Sequence, residues 1–165
     1  KKATFNAIDG LHEAEINDNI VKLKMIDVET ISRDGDNFVM NTGSPHFVQY
    51  VSDIENYDVY KNGHNIRNNE TYKAERINVN FVEKINDNQL FVRTYERGVE
   101  DETYSCGTGV TASALSFMKD QNISEVKVKV LGGDLKVDAQ QNGATFDNIW
   151  LEGRALQVFS GNFDI

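Results

Sequence analysis

Many short strands with one buried helix and one lesser helix, an α+β fold, is what this sequence predicts. Three observations carry the prediction. Apolar and polar residues alternate at period two in one short segment after another. Only one long stretch, Thr111-Ala112-Ser113-Ala114-Leu115-Ser116-Phe117-Met118, reads as a small-residue helix, and a second run spaces its apolar residues three to four apart. No repeat, low-complexity tract or linker divides the chain, and 165 residues with 39% hydrophobic content can fill an ordinary core.

Residues 3–16 are strand-like and apolar at alternate positions. Residues 12–16 and 20–26 alternate on either side of Asn17-Asp18-Asn19, which predicts a hairpin, because Asn and Asp tolerate the positive φ of a tight turn. Residues 37–40 and 47–51 read as further strands flanking the loop Asn41-Thr42-Gly43-Ser44-Pro45-His46. The spacing of Ile54, Tyr57, Val59, Tyr60 and Ile66 predicts a short helix over 57–68, interrupted near Gly63. Residues 77–85 and 89–95 alternate around Asn86-Asp87-Asn88, so a second hairpin delivers the chain to a loop over 96–106, a usual place for chemistry. After the helix, 126–131, 135–139, 146–151 and 156–159 are β-like, punctuated by Gly132-Gly133 and Asn142-Gly143.

Bulk charge narrows the function. With 26 acidic against 17 basic residues the net charge is −9, and no basic cluster offsets it, which argues against nucleic acid or an anionic membrane as partner. No apolar run approaches the roughly 20 residues of a membrane span, and Lys1-Lys2 is followed by no signal-peptide core, so a soluble, cytoplasmic chain is expected. One cysteine cannot form an internal disulfide, and His12, His46 and His64 show no zinc-site spacing, so no metal is expected. The start at Lys1, already strand-like, reads as the interior of a longer chain.

Chemistry concentrates around Cys106, which precedes Gly107-Thr108-Gly109 and the predicted helix. The free amides of that helix end would attract an anion and stabilise a thiolate, whereas a lone cysteine is more often a small buried hydrophobe. Glu96-Arg97 closes a strand near the cysteine loop. The pair suits a zwitterion, Arg forking onto a carboxylate and Glu accepting from an ammonium, or is simply a solvated ion pair. Glu100, Asp101 and Glu102 read as a solvated acidic turn, with Glu102-Thr103 close enough to fix the loop. His46, after Pro45 in a turn of small polar residues, could orient a thiol or bond a substrate; a surface histidine without a role is the alternative. Asn78 and Asn80 put two amides on one strand face and need partners if buried, and Asn41, Thr42 and Ser44 pose the same choice.

As a set, Gly43-Ser44-Pro45-His46, Arg76-Ile77-Asn78-Val79-Asn80-Phe81, Tyr95-Glu96-Arg97-Gly98 and Glu102-Thr103-Tyr104-Ser105-Cys106-Gly107-Thr108-Gly109 closely resemble the motifs of the diaminopimelate epimerase family. The match runs in order through nearly the whole chain. It includes residues 5–14, which resemble the family's Ala-x-Asp-Gly segment, and the strand region 151–161. The resemblance implies a two-domain, pseudo-symmetric fold, each half wrapping strands around a central helix, with substrate in the cleft between them. By it, residues 1–30 are a remnant of the N-terminal domain, 31–152 the C-terminal domain, and 153–165 a strand returning to the N-terminal domain.

The resemblance also implies that no cofactor is used. The family is PLP-independent and sets two cysteines, one from each half, on opposite faces of the α-carbon as acid and base. Cys106 matches the cysteine of the C-terminal half. Gly107 and Thr108 would hold the α-carboxylate, Ser44, Asn78, Glu96 and Arg97 would contact the substrate, and His46 and Glu96 would support the catalytic geometry. The partner implied is diaminopimelate, with a homodimer admitted, and the role is supplying the meso isomer for lysine and bacterial cell-wall synthesis. Two departures stand out. Ser44 occupies the place of the family's Asn, and the N-terminal cysteine with its Cys-Gly-Asn-Gly motif is absent, so the chain is expected to be the C-terminal part of the enzyme and inactive alone. A proline-racemase-like or phenazine-biosynthesis-like isomerase, a cysteine hydrolase using Cys106 with His46, and a non-catalytic binding half-domain are the alternatives.

Overall fold

A computed structural model describes residues 1–7 and 10–163; Ile8 and Asp9, the centre of the Ala-x-Asp-Gly segment, lie outside the described residues. Among the described residues, twelve strands form one sheet. They are β1 (Lys2–Ala7), β2 (Gly10–Asn17), β3 (Ile20–Lys24), β4 (Ile31–Asp34), β5 (Asn37–Asn41), β6 (Pro45–Tyr50), β7 (Asn78–Asn86), β8 (Gln89–Glu96), β9 (Asp101–Thr103), β10 (Glu125–Val130), β11 (Gly133–Asn142) and β12 (Thr145–Arg154). The helices are α1 (Val59–Arg67) and α2 (Gly107–Gln121). The order across the sheet is β1-β2-β3-β12-β11-β10-β8-β7-β6-β5-β4, with β9 paired to β8.

Pairing is antiparallel except between β6 and β7 and between β8 and β10. Parallel neighbours need a crossover, and the two helices lie within those connections. The predicted hairpins form as the alternation requires: Asp18 takes a positive φ of 51° between β2 and β3, and β7 pairs with β8 across residues 86–89.

Strands β6, β7 and β8 are buried on both faces, and their alternation sorts side chains between two cores. Val48, Val82, Leu90 and Val92 join the core packed on α2, while Phe47, Val79, Phe81, Phe91 and Tyr95 join a second core with Ile54, Val59 and Tyr72. Period two then places His46, Asn78, Asn80 and Thr94 on the α2 face, in registers His46↔Asn78 and Asn80↔Thr94. Polar side chains thus occupy one end of the α2 core. Helix α2 is buried at every residue from Gly109 to Met118 and packs on β5, β6, β7, β8, β10, β11 and β12. A helix without a polar face belongs inside, and Asn122 ends it in the left-handed conformation, φ 54°. No helix among the described residues is long and apolar enough to cross a membrane.

Two expectations are corrected. Helix α1 runs unbroken through Gly63, its start capped by the Asp58 side chain accepting from the Lys61 amide at 3.0 Å. Glycine is needed there for approach, because a Cβ would lie 2.3 Å from the Tyr95 Cβ. Gly63→Ala should therefore destabilise the protein by about 1–3 kcal/mol through overpacking, although alanine is the better helix former by about 1 kcal/mol. The urea midpoint checks this, and an unchanged or higher midpoint would contradict the close packing. Residues 156–159 form no strand, and Leu156, Val158 and Phe159 are exposed. Alternation yields a strand only where a neighbour supplies ladder bonds and a surface to pack on.

Candidate active site

The polar end of the α2 core meets the start of α2 at Cys106. This residue is the helix N-cap, in extended conformation at φ −122° and ψ 106°, and its carbonyl accepts the first helical bond, from Val110 N at 2.8 Å. The side chain does not cap; its Sγ lies 3.6 Å from Thr108 Oγ1. Burial pushes the thiol up from its ordinary value and the Glu96 charge adds to this, while the Thr108 hydroxyl and the backbone amides of Gly109 and Thr108 pull down more weakly. The helix end was expected to favour a thiolate, with the resting state left open, and here the net shift runs the other way. The helix end supplies donors, but desolvation outweighs them and the resting group is a thiol.

His46 is fully buried on β6 and is no surface-turn histidine. Its Nε2 sits 2.9 Å from both Thr108 Oγ1 and Ser44 Oγ, and those hydroxyls are 3.2 Å apart. Its Nδ1 faces Asn80 Nδ2 at 3.1 Å. Thr42 Oγ1 closes the group by donating to the Thr108 carbonyl at 2.8 Å. Burial lowers the His46 pKa to about 3, with Arg97 contributing in the same direction. At pH 7 both folded and unfolded states hold it neutral. Below the ordinary value of 6.5 the unfolded chain takes up a proton that the native site refuses until about 3, so this group makes stability fall with acidification across that window. A slope of about 1.4 kcal/mol per pH unit is expected from it, and urea titrations of His46→Gln against the parent should show the slope flattened.

Asn78 uses its amide within the protein, Nδ2 donating to the Pro45 carbonyl at 3.0 Å and to Ser44 Oγ at 3.2 Å, and Oδ1 accepting from Arg97 N at 2.8 Å. It ties the Ser44 loop to the chain after β8. Glu96 accepts from Thr103 Oγ1 at 2.6 Å, and the Arg97 side chain is exposed. Gly107 and Thr108, half-buried, form the first residues of α2. Ser44, His46, Asn78, Cys106 and Thr108 are thus brought into one connected group. Glu96 and Arg97 reach it through electrostatics and backbone.

The acidic turn is exposed at Glu100 and Asp101, as expected, and half-buried at Glu102, and two of its carboxylates are paired. Arg93 forks onto both Glu102 oxygens at 2.6 Å each, and the buried Arg67 donates to Glu100 Oε1 at 2.6 Å. A buried guanidinium needs such a partner, and the pair ties the turn after β8 to the end of α1. Thr94, Arg67 and Arg93 were not predicted. Only Thr94 left a sequence signal, a hydroxyl continuing the Leu90–Val92 alternation toward α2.

Residues 38–156 match the model of the diaminopimelate epimerase family. The diaminopimelate epimerase of Flavobacterium psychrophilum is 45% identical over 161 residues, 96% of this chain and 63% of the relative. That of Aquifex aeolicus is 36% identical over 174 residues, 97% of this chain and 61% of the relative. The chain thus spans less than two thirds of the length of these curated relatives. Among solved structures, a probable proline racemase from Agrobacterium radiobacter K84 superposes with a TM-score of 0.68 at 17% identity, covering 93% of this chain and 57% of that one. A putative phenazine biosynthesis PhzC/PhzF protein from Clostridium difficile strain 630 gives 0.65 at 13% identity, covering 100% and 66%. At such identities the likeness is one of fold alone.

Proposed function

This chain belongs to the diaminopimelate epimerase family, and on that premise we propose that it carries one of the two cysteines with which a PLP-independent enzyme interconverts LL- and meso-diaminopimelate. The observation that supports this reading most is the seat of Cys106. Its sulfur lies at a helix N-terminus, near the amides of Thr108 and Gly109 and the Thr108 hydroxyl, above a neutral, buried His46. An α-proton is weakly acidic, so its removal needs stabilisation of the charge that develops on the carbanion and carboxylate. Preorganised amides in a dry site supply about 3–4 kcal/mol each.

In the proposed reaction Cys106 delivers a proton to one face of the α-carbon, or removes one, while a second thiol acts from the opposite face. Gly107 and Thr108 present the helix end to the α-carboxylate. Ser44, Asn78, Glu96 and Arg97 contact the substrate, and His46 and Glu96 keep the cysteine environment in place. The same proposal takes 31–152 as the C-terminal domain with strands around a central α2, 1–30 as belonging to its companion domain, and 153–165 as returning there. It includes a cytoplasmic location, a homodimer, and supply of meso-diaminopimelate for lysine and cell-wall synthesis. Because these 165 residues hold one cysteine, they are proposed not to invert the substrate by themselves.

The test is inversion of diaminopimelate in D2O by the full-length protein, with solvent deuterium followed into the α-position. Uptake coupled to inversion supports the reading. A folded full-length protein that neither inverts nor exchanges would sink it.

A further inference from the structure

The geometry points to Asn80 as a positioning residue: it fixes His46 as the Nε2–H tautomer and so keeps the Thr108 hydroxyl proton available to the Cys106 sulfur. The catalytic consequence rests on the epimerase reading; the tautomer does not.

Asn80 is completely buried on the α2 face of β7. Its Nδ2 donates to the Phe47 carbonyl at 2.9 Å, and its Oδ1 accepts from Thr94 Oγ1 at 3.0 Å. A carbonyl can only accept, so turning the amide over would set two acceptors against each other. The second Nδ2 hydrogen therefore points at His46 Nδ1, 3.1 Å away. A neutral imidazole that accepts at Nδ1 carries its proton on Nε2.

That proton faces Ser44 Oγ and Thr108 Oγ1, so neither hydroxyl is asked to donate to the ring. Ser44 Oγ already receives Asn78 Nδ2 at 3.2 Å and faces the ring proton at 2.9 Å, so with both lone pairs engaged it is the donor in its 3.2 Å contact with Thr108 Oγ1. The Thr108 hydrogen is left for the sulfur at 3.6 Å, where it favours any negative charge that forms there. In the opposite tautomer a bare Nε2 would draw a hydroxyl hydrogen to itself. Thr94, Asn80, His46, Thr108 and Cys106 thus form one directional chain whose orientation is set by a backbone carbonyl on β6.

The experiment is a long-range 1H–15N NMR correlation on histidine-labelled full-length protein, which separates a protonated ring nitrogen from a bare one. The parent should show His46 with Nδ1 bare and Nε2 protonated. In Asn80→Asp, whose oxygens only accept once the carboxyl is ionised, the proton should move to Nδ1 at a pH above that ionisation. In Asn80→Ala, alkylation of Cys106 by iodoacetamide at neutral pH should slow about tenfold, as expected when one hydrogen bond to a charged acceptor is lost. Turnover by Asn80→Asp should drop about tenfold or more in kcat with little change in KM, a smaller loss than where a mis-tautomerised imidazole is itself the base. A parent spectrum with Nδ1 protonated overturns the inference and needs no variant to fold. So does an Asn80→Asp spectrum identical to the parent's. Tautomer reversal in a protein that never exchanges an α-proton would uphold Asn80 and sink the epimerase reading, while an active enzyme with a protonated Nδ1 would do the opposite.

Discussion

On the proposed epimerase reading, Cys106→Ser in the full-length protein should lose inversion of diaminopimelate by at least about 10²-fold while folding as the parent does. The two arms separate because the substitution keeps nearly everything except acidity. The residue is 7% exposed, its side chain is small, and the one side-chain hydrogen-bond partner shown for it among the described residues, Thr108 Oγ1, can bond an oxygen as well as a sulfur. No packing of consequence is removed, so the urea midpoint should stay close to the parent's. A hydroxyl is far less acidic than a thiol and cannot exchange a proton with an α-carbon on the same terms. Positioned acid or base catalysis contributes about 10²–10⁴-fold, or roughly 3–5 kcal/mol of barrier. Deuterium uptake should also become one-sided, lost from the isomer whose α-hydrogen faces residue 106 and retained where the opposite thiol can reach. A serine variant that inverts within a few-fold of the parent would remove Cys106 from the chemistry.

The raised thiol has a consequence for the order of events. A cysteine that rests protonated in a buried seat is ready to give its proton, and needs further donors before it can take one. Those donors already converge on the sulfur: the amides of Thr108 and Gly109, and a hydroxyl held from behind by His46. Because His46 stays neutral at physiological pH, it adds no positive charge that would hold the sulfur permanently ionised.

The parts of the fold legible in the sequence are those decided locally. Asn17-Asp18-Asn19 and Asn86-Asp87-Asn88 announced their hairpins because turn chemistry is written in a few adjacent residues. The motif residues around Cys106 and His46 were legible as a set. What was misread depended on partners distant in the chain. Gly63 has one signal for two causes, a break or a close approach, and Tyr95 decides between them from 32 positions away. Residues 156–159 alternate as a strand does, yet alternation does not supply a neighbour. Strands β4 and β9 are 4 and 3 residues long, too short for a period to register. The sign of the Cys106 shift was missed for the same reason. A helix end is visible in Gly-Thr-Gly, but the burial that outweighs it comes from the sheet.

Gly109→Ala should cost about 2–5 kcal/mol of stability and disorganise the Cys106 seat, although in an open helix it would be a gain of nearly 1 kcal/mol. A Cβ there would lie 2.2 Å from Asn80 Oδ1, 3.3 Å from its Cγ and 3.4 Å from Cys106 Sγ. The far end of a flexible side chain could retreat from such a contact. Asn80 cannot, because Thr94 holds its Oδ1, and Phe47 and His46 hold its Nδ2. Either α2 lifts at its first turn and takes the Thr108 hydroxyl away from His46, or the amide turns and leaves buried groups unpaired. Both routes end with the directional chain broken, so the loss of stability and the loss of turnover should appear together. A double-mutant cycle isolates the clash. With Asn80→Ala in the background, the obstructing oxygen is gone, and the stability penalty of Gly109→Ala should shrink by about 1–3 kcal/mol. An equal penalty in both backgrounds would mean that Gly109 answers to something other than Asn80.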